Sequence, residues 1–214
     1  MVYKLYGSPM SPYFLVAAIS IKLVGGDYEQ IPVLPHNDDP EFVKASPLGK
    51  IPALVDGDFS IADSTAIAVY VDAVASASGS SSLFGSDPAT KARIAFFEKF
   101  AQSDGTTISS KLVGIMFRTP DDTEALTEAK KEALKTIEFL EKHVQDNGHF
   151  VGSTYTAADV AIYSHLTAYQ LFEVLDADKF PKLSDFYKKA SELPAFSEPA
   201  DASKEMAAKF FAKK

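Results

Sequence analysis

An α/β domain followed by an all-helical domain is the fold class that the sequence predicts, and three observations predict it. Strand-like and helical segments alternate up to about residue 78. Strand signals then cease, and the chain reads as helix to its end. Between the two regimes lies Ala77-Ser-Gly-Ser-Ser-Ser-Leu-Phe-Gly-Ser86, the one low-complexity run of small residues. The expected boundaries are therefore 1–78 for the α/β domain, 79–86 for a linker and 87–214 for the helical domain.

Residues 2–6 read as a strand, and residues 12–24 carry an apolar helical pattern opened by Pro12. A second strand is expected over residues 28–33, followed by a polar loop. Two short strands, 53–55 and 59–61, flank the turn signal Asp56-Gly-Asp58. A helix then starts at Ser64 and presents Ile67, Tyr70, Val71 and Val74 on one side. The order is βαβ followed by ββα. In the second domain Leu126, Ala129, Ala133, Ile137, Leu140 and Val144 recur at steps of three and four, the spacing of one buried helix face. Thr156-Ala-Ala-Asp159 has the form of a capping box, with Tyr155 and Val160 placed as its hydrophobic staple.

Two segments of the first domain point to a ligand. In Ser46-Pro-Leu-Gly-Lys-Ile-Pro-Ala-Leu54, Pro52 precedes a short apolar strand, and a turn of this kind leaves the N–H and C=O of Ile51 available to an extended partner. In Asp63-Ser-Thr-Ala-Ile67, Ser64 and Thr65 stand at the first turn of a helix, where orphan N–H groups and the positive dipole end favour a carboxylate. Together they suit a small, anionic, peptide-like molecule.

Composition narrows the alternatives. The chain has 214 residues, 46% of them hydrophobic, enough for a substantial core. No apolar run approaches the ~20 residues of a membrane span, because Lys22 interrupts the longest candidate. The chain opens on a strand pattern rather than a basic and apolar leader, so a cytoplasmic location is expected. A net charge of −8 argues against nucleic acid or an anionic membrane as partner. With no cysteine, thiolate nucleophiles, thiolate metal sites and redox relays are excluded, and any sulfur chemistry must come from a ligand. The histidines His143, His149 and His165 have no metal-site spacing, so no metal is expected.

The ordered series Pro47-Leu-Gly-Lys-Ile-Pro-Ala-Leu54, Asp56-Gly-Asp58 and Asp63-Ser-Thr-Ala-Ile67 resembles the glutathione-binding half of cytosolic glutathione transferases. Lys4-Leu-Tyr-Gly-Ser-Pro-Met-Ser-Pro-Tyr13 resembles their serine-type branch, with phi-like and bacterial-like members. Thr156-Ala-Ala-Asp159, Phe180-Pro-Lys-Leu183 and Leu193-Pro-Ala-Phe196 extend the resemblance more loosely into the second domain. It implies a thioredoxin-like N-terminal domain, an all-α helical bundle, a homodimer, and conjugation of glutathione to hydrophobic electrophiles. Glutathione enters as co-substrate, with no resident cofactor, and peroxides are a second class of electrophile.

Conjugation needs glutathione as its thiolate, and lowering a thiol pKa by ~2 units takes about 2.7 kcal/mol of preferential anion stabilisation. Ser11, just before Pro12, combines a hydroxyl donor with a helix start, and by resemblance it is the catalytic serine. Read without the family pattern, Ser11 is a helix cap. Tyr6, at the position that tyrosine-type branches use, is the rival hydroxyl, with Ser8 and Tyr13 behind it. His36 and Lys50 are candidates for the glycine carboxylate, Ile51 and Pro52 for the peptide backbone, and Asp63 and Ser64 for the γ-glutamyl end. The loop His36-Asn-Asp-Asp-Pro-Glu41 departs from the phi-type pattern, being one residue longer and acidic where a lysine is usual. Met10, Phe14, Leu112, Met116 and Phe117 are candidates for the electrophile pocket. A noncatalytic relative with a binding, regulatory or structural role is the competing reading. The absence of a further domain after Lys214 weighs against an elongation-factor-like form of it.

Overall fold

The computed structural model describes residues 1–79, 82–119 and 121–211. It groups into two compact units, the first running from Met1 to Ser86 and resuming at Pro194, the second spanning Asp87–Leu193. The break near residue 86 coincides with the end of the predicted linker. The last helix, read from sequence as part of the helical domain, groups instead with the first unit.

In the first unit, strands β1 (Val2–Gly7), β2 (Asp27–Pro32), β3 (Ala53–Asp56) and β4 (Phe59–Ala62) form one sheet in the order β2-β1-β3-β4. β1 runs parallel to β2 and antiparallel to β3, and β4 returns antiparallel to β3. Side chains alternate between the faces, as the two-residue period of a strand requires. Tyr3, Leu5 and Leu54 enter a core with Phe14, Ala17, Ala18, Ile21, Ile67 and Val71 of helices α1 (Pro12–Leu23) and α3 (Ser64–Ser76). Tyr6, Ala53 and Val55 enter another, with Phe42 and Ala45 of helix α2 (Pro40–Ala45). Helix α1 is buried continuously from Phe14 to Ile21, which explains its all-round apolar sequence.

The sequence predicts a polar loop where α2 stands. The helix is only six residues long, too short for a periodic signal. Asp39 caps it by accepting from the Phe42 N–H at 2.8 Å, Pro40 opens it, and Phe42 and Ala45 are its two buried anchors.

The second unit holds α4 (Pro88–Phe100), a π-helical turn at Ala101–Gly105, then α5 (Thr106–Arg118), α6 (Thr123–His143), α7 (Ala157–Gln170) and α8 (Pro181–Ser191). The predicted face of α6 is inward: Ala129, Ala133, Ile137 and Leu140 are buried, with Val144 buried at the cap. Helix α7 is buried along almost its whole length and starts at the capping box. The Asp159 carboxylate accepts from Thr156 N–H, Thr156 Oγ1 and Phe150 N–H, each at 2.8 Å. Among the described residues, no helix is long and apolar enough to cross a membrane.

Helix α9 (Pro194–Phe211) completes the first unit beside α1, where Lys22 pairs with Glu198 at 3.0 Å and with Asp27 at 2.9 Å. Asp72 of α3 accepts from Ser82 Oγ at 2.8 Å and from the Leu83 N–H at 2.7 Å, which ties the predicted linker back to the first unit. Ser80 and Ser81 of that linker lie outside the described residues.

Candidate functional site

The candidate glutathione residues all lie in the first unit, on segments joined to one another. Gly7 ends β1 at a φ of +147°, and a Cβ there would stand 2.7 Å from the Phe14 ring and 3.4 Å from Ile51 Cβ. A glycine is therefore required for the end of β1, the start of α1 and the Ile51-Pro52 segment to approach so closely. The Ile51-Pro52 bond is cis. Among the described residues, the N–H and C=O of Ile51 make no backbone hydrogen bond. Pro52 accepts through its carbonyl from the Asp63 N–H at 3.3 Å, joining this segment to the start of α3.

Ser11 is the N-cap of α1, with φ −83° and ψ 121°, and its Oγ accepts from the Phe14 N–H at 3.4 Å. Its own N–H donates to the Ser8 carbonyl at 2.9 Å. Acting as a cap uses a lone pair of the hydroxyl and not its proton, so the cap and donor readings are compatible. At a helix N-terminus, this donor is aligned with the positive dipole end.

Tyr6, the rival hydroxyl, is committed elsewhere. Its side chain is 2% exposed, its ring stacks on Phe42 with centroids 6.0 Å apart, and its hydroxyl donates to a Glu41 carboxylate oxygen. Burial, reinforced by the Glu41 carboxylate, raises the phenol well above its ordinary pKa. The Tyr6 and Lys4 partners in turn hold the Glu41 carboxyl below its usual range. Met10 is partly buried one residue before Ser11, and Ser8 Oγ lies 3.4 Å from Met206 Sδ of α9.

At the other end of the site, His36 has a φ of +62° and donates its N–H to the Gly49 carbonyl at 2.7 Å. Gly49, at φ +65°, lies directly beneath it, since a Cβ there would come within 2.8 Å of His36 Nδ1. Ser46 Oγ donates to the Lys50 carbonyl at 2.7 Å and accepts from the Lys50 N–H at 2.9 Å. His36 and Lys50 are thus held in one small assembly with exposed side chains, despite the altered loop before α2.

At the start of α3, Asp63 has a φ of +84° and caps the helix, one carboxylate oxygen accepting from the Thr65 N–H at 3.0 Å and the Ala66 N–H at 3.1 Å. Ser64 Oγ is buried without a protein partner. Burying a hydroxyl unpaired costs free energy.

Of the electrophile candidates, Met10 and Phe14 belong to the first unit and Leu112 to the second. Phe14 is fully buried in the core, edge-on to Tyr28 with centroids 6.1 Å apart. Leu112 is fully buried in the second unit. The side chains of Met116 and Phe117 lie outside the described residues. No group of acidic, histidine or cysteine side chains that could hold a metal ion occurs among the described residues. Sequence reasoning missed the Tyr6–Glu41–Lys4 cluster, because its members lie 35 to 37 positions apart and α2 itself had not been recognised.

Comparison with known proteins gives two family matches: residues 1–73 match the glutathione S-transferase N-terminal domain, and residues 107–198 its C-terminal domain. Glutathione S-transferase 3 of Zea mays is 28% identical over 162 residues, 73% of each chain. Elongation factor 1-gamma of Equus caballus is 29% identical over 205 residues, which span 90% of this chain and 45% of that one. The crystal structure of glutathione transferase URE2P8 from Phanerochaete chrysosporium with oxidized glutathione superposes with a TM-score of 0.80 at 24% identity, over 96% of each chain.

Proposed function

The chain belongs to the cytosolic glutathione transferase family, and we propose that it binds glutathione in its first unit, ionises the thiol through Ser11, and directs the thiolate at hydrophobic electrophiles. The observation that carries this reading is the Ser11 hydroxyl: it caps α1 as an acceptor and keeps its proton for a thiolate at the helix N-terminus. The ligand chemistry at both ends supports it. Ile51 offers an unused N–H and C=O to the peptide backbone, and Ser64, at the start of α3, is the candidate for the γ-glutamyl carboxylate. His36 and Lys50 are the cationic or hydrogen-bonding side chains available to the glycine carboxylate.

In this reaction the thiol loses its proton on binding, and the sulfur forms a bond to an electrophilic carbon as the leaving group departs with the bonding pair. A peroxide oxygen is the other electrophile that the same thiolate would take. Met10, partly exposed and next to Ser11, is the proposed contact for the second substrate.

The test is the initial rate of glutathione conjugation to an aryl halide, for the purified chain and Ser11→Ala. We expect a loss on the order of 100-fold in kcat, the equivalent of about 2.7 kcal/mol, with glutathione affinity largely kept. An unchanged rate overturns the role of Ser11.

The similarity to elongation factor 1-gamma favours one second reading, a binding or regulatory member without turnover. Retention on immobilised glutathione, with no conjugation of several electrophiles, would establish that reading instead. The helices that start at Ser64 and Pro88 are the proposed contacts of a homodimer. They carry Val69, 48% exposed, and Phe96, 54% exposed.

A further inference from the structure

Tyr6 and Lys4 project from the same face of β1, two residues apart, and both reach Glu41 on α2. Lys4 Nζ lies 3.0 Å and 3.3 Å from the two carboxylate oxygens. That ion pair is solvent-exposed at both ends, and by itself such a pair holds little. The Tyr6 hydroxyl differs, because it approaches from a buried ring that is clamped on Phe42 of the same helix.

The consequence runs along the backbone. Helix α2 ends where the Ser46 N–H donates to the Phe42 carbonyl at 2.7 Å, and Ser46 then brackets Lys50 through its side chain. Gly49 donates its N–H to the Ser46 carbonyl at 2.8 Å and accepts from His36 at 2.7 Å. Helix α2 is six residues long, anchored by Phe42 and Ala45 and capped by Asp39, and Glu41 adds its polar ties to β1, so a change in how Glu41 is held can reach Lys50 and His36 through Ser46 and Gly49.

We infer that Tyr6 and Lys4, acting through Glu41, are positioning residues that latch α2 and so preorganise the His36–Lys50 end of the glutathione site. The inference rests on the glutathione-binding reading above. It gives Tyr6 a role in affinity, in a chain where the thiol's hydrogen-bond donor is a serine. Preorganised side chains lose less freedom on binding, so the effect belongs to the affinity for glutathione and not to the chemical step.

The experiment compares the wild-type chain with Tyr6→Phe, Glu41→Ala and their double variant, by titration calorimetry with glutathione and by kcat and KM for conjugation. Tyr6→Phe keeps the ring on Phe42, and Glu41→Ala alters an exposed position, so at least one variant is expected to fold. Each single variant should raise the Kd and KM for glutathione roughly three- to tenfold, with kcat within about twofold. The double variant should be no worse than the weaker-binding single one, because both changes break one latch. A Tyr6→Phe protein with reduced kcat and unchanged KM would make Tyr6 the thiol's donor and overturn the inference. Wild-type affinity in both single variants would overturn it too, leaving the binding reading intact. A wild-type chain that does not bind glutathione would overturn that reading, and this inference with it.

Discussion

At Ser11 the proposed role makes two demands on one hydroxyl that do not compete: its lone pair takes the Phe14 N–H, and its proton stays available for a thiolate. Gly49 is a second position where a single atom decides. With φ at +65° and His36 Nδ1 2.8 Å from where a Cβ would stand, Gly49→Ala should lose about 1–2 kcal/mol of stability and weaken glutathione binding by displacing His36. Thermal unfolding and calorimetry check the two effects separately. His165, in the second unit, is 2% exposed, with Thr106 Oγ1 and Ser109 Oγ each 3.3 Å from one of its ring nitrogens. Burial lowers its pKa from 6.5 to about 3. The folded value lies below the unfolded one, so the unfolded chain takes up the proton first. The contribution of His165 is therefore present above pH 6.5 and is lost as pH falls toward 3, at about 1.4 kcal/mol per unit. Urea unfolding at pH 7 and pH 5 should show a shallower pH dependence in His165→Gln than in the wild type, and equal slopes would contradict this assignment.

Elements announced themselves in proportion to their length and to the regularity of their burial. The four strands and helices α1 and α3 lie within a residue or two of where the alternation, the Ser-Pro start and the Asp-Gly-Asp turn predict them. Helix α2 was not legible, because six residues with two buried anchors leave no periodic trace, and with it went the latch that joins Tyr6 to the His36–Lys50 loop. The proposed ligand ends rest on local chemistry that a sequence displays: a proline before a short strand, and a hydroxyl pair at a helix start. The capping box of α7 was legible for the same reason, and it carries a measurable load. Asp159 is fully buried and serves three donors, so Asp159→Ala should cost about 1–3 kcal/mol by stranding them, read as a lower urea midpoint with the helical spectrum retained. A midpoint unchanged within error would show that water or neighbouring groups replace the carboxylate.

For the whole molecule, the chain groups into two units that part after Ser86, beside the small-residue run. The return of α9 to the first unit was hidden, since a helical pattern records its period and not its destination. The proposed homodimer predicts a sedimentation coefficient of two chains in the wild type that shifts toward one when Val69 and Phe96 are both changed to Glu, whereas an unaltered coefficient would move the interface elsewhere. In the proposed reading, the Ser11 hydroxyl and the N-terminus of α1 lower the thiol pKa of bound glutathione. The most direct test is a titration of the ultraviolet thiolate absorbance of glutathione bound to the wild-type chain and to Ser11→Ala. The bound thiol should be about 2 units more acidic than free glutathione in the wild type and close to free in the variant. A bound thiol that titrates like the free tripeptide in both would contradict it.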